Sequence, residues 1–368
     1  MPTDVKKSGD VKNPGDMKTR VNSDTTLTLF IPDMFGLQSV LSQLSETEQP
    51  RLPVLEKWLA RGNRETATSQ DDIIFSELGI SSEELKSNPL SAFSLLAEST
   101  QLAVNDQSEL NLPSYWLRAD PVCIQPDRDT AVLMAHEEIA LSMEEANQLV
   151  EEINRHFADE PWELHAVHPQ RWYLKLDSIQ ELVTTPLKQV LAQDINPSLP
   201  SGTHAQYWTQ CINEMQMLLH GSRINFERES RGMWTVNSLW LWGGGVLPVN
   251  KNIDIPYKKI VADDLLLKGI GKYYGIDVCS LDQYEEAIQS GNCFMLLDML
   301  SGSVARQDVF AYIQLLEEIE NGYLKKIDEL LKQGKIMRVR LLADTTSVSI
   351  TSKLLRRWWK RRKLFTEI

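Results

Sequence analysis

Three short apolar runs, each carrying an aspartate at or near its end, limit most strongly what this chain can fold into. Leu27-Thr28-Leu29-Phe30-Ile31-Pro32 leads to Asp33, the stretch 292–300 holds Asp298 near its end, and Val339-Arg340-Leu341-Leu342-Ala343 leads to Asp344. Short β-branched and apolar runs that stop in turns read as buried strands. Helical patterns separate them: 53–61 with Gly62 as its stop, 81–98 interrupted at Pro89, 205–219, 259–274 stopping at Gly275, and a long amphipathic pattern over 308–334. Strands and helices in that alternation predict an α/β fold with an open, mostly parallel central sheet. Ligands of such sheets sit at the carboxyl ends of the strands, where the three aspartates fall.

A different texture interrupts the alternation between about 116 and 200. Strand patterns at 122–124 and 131–134 precede a helix that opens on Ser142-Met143-Glu144-Glu145, a capping box. Alternating strands follow at 162–165 and 171–176. The block therefore reads β-β-α-β-β, an inserted α+β subdomain, closed by loops at Pro186, Pro197 and Pro200. The strand pattern at 237–242, which runs into Gly243-Gly244-Gly245, goes with the returning α/β layer. The expected division is a mobile polar tail over 1–24, a core of 25–115 plus 201–352, the insert 116–200, and a basic segment 353–368. Tail residues such as Lys6, Asp10 and Lys18 carry too little apolar surface to offset the entropy of ordering.

Charge separates these parts further. The formal charge of −13 splits into +7 on 353–363 and −20 on the rest of the chain. An acidic body disfavours a general nucleic-acid or anionic-membrane binder. For the basic segment, Trp358 and Trp359 favour a helix that docks its Leu and Trp side chains on the body and pairs its charges there. The other reading is contact with a membrane surface or nucleic acid. Four well-separated cysteines without a CxxC read as reduced, packed thiols. A polar N-terminus and the lack of a long apolar run point to a cytoplasmic protein.

Two further sets of residues bear on function. Arg118, Arg171, Arg223 and Arg228 are candidates for an anion-binding cluster, because the planar guanidinium matches phosphate and carboxylate; surface ion pairing is the competing role. Gly243, Gly244 and Gly245 would let the backbone approach an anion. Gly269, Gly271 and Gly275 do not form a dinucleotide fingerprint and read as packing and a helix stop. His165 and His168 flank a strand end and read as loop histidines rather than metal ligands.

Three stretches carry a family resemblance: Leu117-Arg118-Ala119-Asp120-Pro121 with the block after it; Asn213-Glu214, His220, Asn225, Arg228, Gly232 and the run from Val236 to Gly245; and Lys268-Gly269-Ile270 with Tyr274-Gly275-Ile276-Asp277-Val278. Over roughly 115–280 the chain resembles the archaeal-type cofactor-independent phosphoglycerate mutases of the alkaline phosphatase superfamily. It looks closest to the bacterial branch labelled regulatory protein RpfE-type. The resemblance implies a sheet of alkaline-phosphatase-like type and a phosphoryl-transfer site with two divalent ions about 4 Å apart. It also implies a ligand set built on an N-terminal Asp, a D-x-x-G-H motif and a D-H pair.

Asp33, Asp298 and Asp344 match the aspartates of that set, but its histidines are missing. Thr345 follows Asp344, the run after Asp298 is Met299-Leu300-Ser301-Gly302-Ser303, and no histidine follows His220 in the chain. Trp242 stands where the mutases carry an arginine before the Gly-rich turn, and Thr66-Ala67-Thr68-Ser69 offers hydroxyls without a matching nucleophile context. The expectation is a catalytically degenerate, mutase-like protein that binds a phosphorylated or acidic small molecule or a protein partner, without a resident cofactor. The alternative is an active mutase or phosphatase using Mn²⁺ or Mg²⁺ at an atypical site of Asp33, Asp298 and Asp344. An Asp at a strand end also has a purely structural use, as a cap for the following turn.

Overall fold

The computed structural model describes residues 25–45, 47–66, 73–80, 89–98, 114–128, 130–343, 346–361 and 363–367. The expected tail over 1–24 and the first half of the helical pattern at 81–98 lie outside them. Two sheets organise the rest. The first takes β1 (Thr26–Phe30), β2 (Asn63–Thr66), β8 (Lys259–Val261), β9 (Asp277–Cys279), β10 (Cys293–Leu296), β11 (Arg338–Ala343) and β12 (Thr346–Ile350). Its order is β2-β12-β11-β1-β10-β8-β9. The five strands from β11 to β9 run parallel, and β12 and β2 are antiparallel at one edge. This is the mixed α/β architecture with a mainly parallel central sheet that the strand-and-aspartate pattern predicts.

β1 lies centrally, and both of its faces are covered, the one with Phe30 also seating Thr28 against the Tyr257 hydroxyl. Leu27 and Leu29 enter the core under helices Pro53–Arg61 and Val309–Ile319, while Phe30 enters the opposite core under helix Leu265–Tyr274. Alternate side chains of a strand point to opposite faces, so a strand covered on both sides needs such a run. In β10, Met295 faces the first core and Phe294 and Leu296 the second.

One expected helix is a strand and a helix. Residues 259–261 form β8 within the sheet, and the helix begins only at Leu265. Ile260 and Val261 favour the strand, and Asp264 ends the extended stretch by capping the helix, accepting from the Leu267 N–H at 3.1 Å. Gly275 closes that helix in the left-handed region at φ 75°. The long pattern at 308–334 is helical, with a π-helical turn at Glu320–Leu324. Glu320 is fully buried there and accepts from Val54 N at 2.6 Å and Leu55 N at 3.1 Å. It caps the Pro53–Arg61 helix, whose own Leu52 supplies no side-chain cap.

The second sheet contains β3 (Tyr115–Asp127), β4 (Thr130–Ala135), β5 (Trp162–His168), β6 (Arg171–Leu176) and β7 (Ser238–Gly245). The first strand is much longer than the expected 122–124. Along its first half β3 pairs with β6 and β7, and along its second half with β4. The Gly-rich strand therefore belongs here, antiparallel to β3, and not with the parallel layer where its position after 200 had placed it. Its inner residues Leu239 and Leu241 share a core with Leu117, Ala119 and Trp172 of this sheet, and with Met215 of helix Ala205–His220. That common core decides the pairing. The Ser142 capping box is formed as expected, with Ser142 Oγ accepting from Glu145 N and Glu145 Oε2 accepting from Ser142 N.

The basic segment is anchored at two points. Leu355 and Phe365 are buried in the first core, and the Phe365 ring stacks on Phe35 at 5.5 Å. Trp358 and Trp359 do not dock: they are 79% and 64% exposed. Among the described residues no carboxylate forms an ion pair with the segment's cations. The expectation that its Trp side chains bury and its charges pair is corrected on both counts. Leu355 and Phe365 fill the apolar sites, which leaves the turn between them outside. Among the described residues no helix is long and apolar enough to cross a membrane.

Candidate functional site

Neighbouring parallel strands deliver carboxylates to one edge of the first sheet. Asp33 follows β1, Asp298 follows β10 and Asp264 follows β8, and these three strands are adjacent in the order β1-β10-β8. Asp33 sits in the left-handed region at φ 57°, a conformation that Asp tolerates better than most side chains. Its turn is fixed by Gly36 N donating to Asp33 O at 3.0 Å and by the Tyr312 hydroxyl donating to Met34 O at 2.5 Å. Asp344, the third aspartate expected from the sequence, lies outside the described residues.

A cavity of about 640 Å³ opens over this edge and is walled on its far side by the second sheet. Asp33, Asp264 and Asp298 reach it from the first sheet, Arg118 and Arg171 from β3 and β6, and Lys188 from the short turn Leu187–Gln189 after β6. Phe30, Leu90, Leu187 and Leu296 supply apolar wall. The structure thus brings together four of the residues predicted from sequence: Asp33, Asp298, Arg118 and Arg171. The position matches the rule that open α/β sheets hold ligands beyond the carboxyl ends of their strands.

Lys188 is the centre of charge in the cavity. Its ammonium forms an ion pair with Asp298, whose other oxygen accepts from Ser301 Oγ at 2.7 Å. The Lys188 side chain is largely exposed and the Asp298 carboxylate half-buried, and each partner favours the charged form of the other. Lys188 is held above the ordinary lysine value and Asp298 below the ordinary carboxylate value. At Asp264 burial wins, and its carboxyl is pushed up despite the Leu267 N–H and the nearby Lys188.

The arginines are held from behind. Arg118 donates from Nε at 2.9 Å and Nη2 at 2.7 Å to Asp120 Oδ1, and its guanidinium lies 5.1 Å from the ring centres of both Tyr173 and Trp242. Trp242, the residue in the mutases' arginine position, donates its indole N–H to Asp120 Oδ2 at 2.8 Å. Arg171 pairs with Glu98, which also accepts from the Tyr173 hydroxyl at 2.5 Å. Neither Nη1 of Arg118 nor Nη1 of Arg171 donates to another described residue. Both guanidinium groups therefore keep N–H donors beyond those given to their carboxylates.

Arg223, Arg228 and the three glycines do not join the cavity. Arg223 is an exposed helix residue 3.6 Å from Glu227. Arg228 is fully buried and ties Glu145 to the carbonyls of Trp234 and Ile139, a joint within the second subdomain. Gly243 N donates to Thr184 Oγ1 at 3.1 Å, and a Cβ at Gly244 would lie 2.2 Å from the Tyr115 hydroxyl. Close packing of β7 accounts for these glycines. His168 Nδ1 accepts from Gln170 N, and burial lowers its pKa. His136 lines the cavity with Nδ1 2.9 Å from the Pro121 carbonyl.

Sequence reasoning missed Lys188, Asp120, Glu98 and Asp264. Only Asp264 carried a signal: Ile260-Val261-Ala262 followed by two aspartates repeats the strand-then-Asp pattern of Asp33 and Asp298.

The described residues do not assemble a two-metal phosphoryl-transfer site. Among the described residues no three His, Cys, Asp or Glu side chains gather as a metal-holding group. The Asp298 carboxylate is already neutralised by an ammonium group, and Asp264 is committed to a helix cap. Neutral nitrogen donors complete such sites, and the imidazole that lines this cavity, His136, gathers with no two described carboxylates into a metal-holding group.

Comparison with known proteins places these features in context. No family model matches the chain. It is 25% identical over 220 residues to a 2,3-bisphosphoglycerate-independent phosphoglycerate mutase of Methanosarcina barkeri, a match covering 58% of this chain and 54% of that protein. It is 23% identical over 219 residues to a probable enzyme of the same description from Geobacter sulfurreducens, covering 58% and 55%. The chain thus spans about half the length of the curated relatives it matches. Among solved structures, a Pyrococcus horikoshii protein superposes with a TM-score of 0.50 at 15% identity, covering 89% of this chain and 87% of that one; this likeness concerns the fold alone. A cofactor-independent phosphoglycerate mutase from Thermoplasma acidophilum gives a TM-score of 0.46 at 15% identity, with 93% and 94% covered. The relatives matched by sequence are cofactor-independent phosphoglycerate mutases at low identity, and the relationship of this chain is mutase-like.

Proposed function

We propose that this protein is a mutase-like binding or regulatory protein that does not run two-metal phosphoryl transfer. The observation that carries the reading is the Lys188–Asp298 ion pair. An ammonium group holds the carboxylate that, by resemblance, would ligate a metal. The run Met299-Leu300-Ser301-Gly302-Ser303 after Asp298, which holds no histidine, and Thr345 in place of the histidine of the D-H pair support the same reading from the sequence. The uncommitted Nη1 donors of Arg118 and Arg171, next to apolar wall, favour a small phosphorylated or acidic ligand. A regulatory role in the cytoplasm and kinship with the RpfE-type bacterial branch are parts of this proposal, as is a protein partner.

The test is an assay of the purified chain for interconversion of 3- and 2-phosphoglycerate with added Mn²⁺ or Mg²⁺. The expected outcome is no turnover above the uncatalysed rate, and no stoichiometric metal by elemental analysis. Turnover that Asp33→Ala abolishes would overturn the proposal in favour of an active mutase or phosphatase with an atypical aspartate site.

A further inference from the structure

We propose that the exposed residues Arg356, Trp358, Trp359, Lys360, Arg361 and Lys363 form a docking surface for an anionic lipid bilayer. This site lies away from the cavity and does not depend on the reading of the cavity as non-catalytic. It is built rather than frayed. Arg61 Nη1 donates to the Leu355 carbonyl at 2.6 Å on one side. On the other side Phe365 N donates to Glu56 Oε1 at 3.2 Å, and Gln38 Nε2 donates to Phe365 O at 2.6 Å. Between these anchors the backbone closes in tight turns, with Arg357 N on Leu354 O, Trp358 N on Arg356 O and Lys360 N on Arg357 O.

The turn presents two large aromatic rings and a set of cations to the outside. Trp358 and Trp359 are its most prominent residues, and Arg356, Lys360, Arg361 and Lys363 around them are exposed. Arg64 of β2 adds a further cation to the adjoining cleft. Among the described residues these cations form no ion pair, although the chain as a whole carries a net charge of −13. Indole rings with a polar N–H and an apolar body partition to the headgroup level of bilayers, and clusters of Lys and Arg add attraction to anionic lipids. Two signals of this kind on one turn match the requirement that stable peripheral attachment combine apolar insertion with charge.

Single-stranded nucleic acid is the competing occupant, since it also uses cations and aromatic platforms. The ring geometry argues against it. Trp358 and Trp359 are nearly perpendicular, with an interplanar angle of 82° at 6.2 Å. Successive stacked bases would need parallel faces, whereas insertion at a bilayer interface does not.

The test is co-sedimentation of the full chain with vesicles of phosphatidylcholine alone and of phosphatidylcholine with phosphatidylglycerol at about 0.1 M salt. Binding is expected only to the anionic vesicles and should fall with added salt. At about fivefold per cation removed, the triple change Lys360→Gln, Arg361→Gln and Lys363→Gln should weaken binding roughly a hundredfold. Trp358→Ala with Trp359→Ala should abolish the blue shift of tryptophan emission on vesicle binding. All five side chains are exposed, so unchanged circular dichroism and thermal melting will show that the variants fold. Equal affinity for neutral and anionic vesicles, no binding to either, or binding of a single-stranded oligonucleotide in place of vesicles would overturn the proposal.

Discussion

Asp120 is the side chain on which the cavity wall most depends. It is fully buried, and one of its oxygens takes both the Nε and Nη2 of Arg118 while the other takes the indole N–H of Trp242. The change Asp120→Ala strips the buried residue Arg118 of its directly bonded counter-charge and leaves it only the more distant Glu98. With the charges about 4 Å apart and an effective dielectric of about 20, the lost attraction is about 4 kcal/mol. Breaking buried pairs in this way costs about 3–5 kcal/mol. Urea unfolding at pH 7, followed by far-ultraviolet circular dichroism and tryptophan emission, should therefore show the unfolding free energy of Asp120→Ala reduced by about 4 kcal/mol. The double variant Arg118→Met with Asp120→Ala removes the stranded charge along with its partner and should recover most of that loss. A single variant within about 1 kcal/mol of wild type, or a double variant no better than the single, would show that the pair is not the joint described.

Other outcomes follow from particular contacts. A Cβ at Gly269 would lie 1.8 Å from the Phe93 carbonyl oxygen, so Gly269→Ala must push helix Leu265–Tyr274 off helix Leu90–Glu98; a loss of about 1–3 kcal/mol in the same unfolding assay is expected from overpacking. Asp328 is buried, which raises its pKa, but hydrogen bonds from Lys332, Lys57 and Trp58 outweigh burial and hold it below the ordinary carboxylate value. Its stabilising contribution is therefore complete above about pH 4 and lost as pH falls through the lowered value; Asp328→Asn should flatten that part of the stability–pH curve. Lys188→Met frees the Asp298 carboxylate for a hydrated divalent ion. Electron paramagnetic resonance of added Mn²⁺ should then show binding that the wild type lacks, and identical titrations would count against Lys188 as the resident cation.

Features encoded within a few residues were legible in the sequence. The Leu27–Ile31 run, the Ser142 capping box and the Gly275 stop each rest on local periodicity or a single backbone preference. Asp33 and Asp298 were legible because a strand end fixes where its next polar residue points. What escaped were pairings between distant segments. Nothing near Lys188 shows that it meets a carboxylate at 298, and nothing near Ser238 shows that β7 pairs with β3 rather than entering the parallel layer. The 259–274 segment was misread because a three-residue strand is too short to break a helical pattern; only its place between β9 and β10 makes it visible.

The nesting of the second sheet has a consequence for the order in which the protein is made. All five strands of that sheet lie between Tyr115 and Gly245, so it is complete before any parallel partner of β1 has been synthesised. β1 pairs with β10 across about 260 residues of chain. At about 5–20 residues per second of translation, Leu27, Leu29 and Phe30 wait roughly 13–50 s on the ribosome for that partner. During that interval this central strand, with Leu27, Leu29 and Phe30, has two unpaired edges. The nascent chain therefore needs shielding of the segment around β1 until the last third emerges, which makes this strand the segment where chaperone dependence and misassembly concentrate.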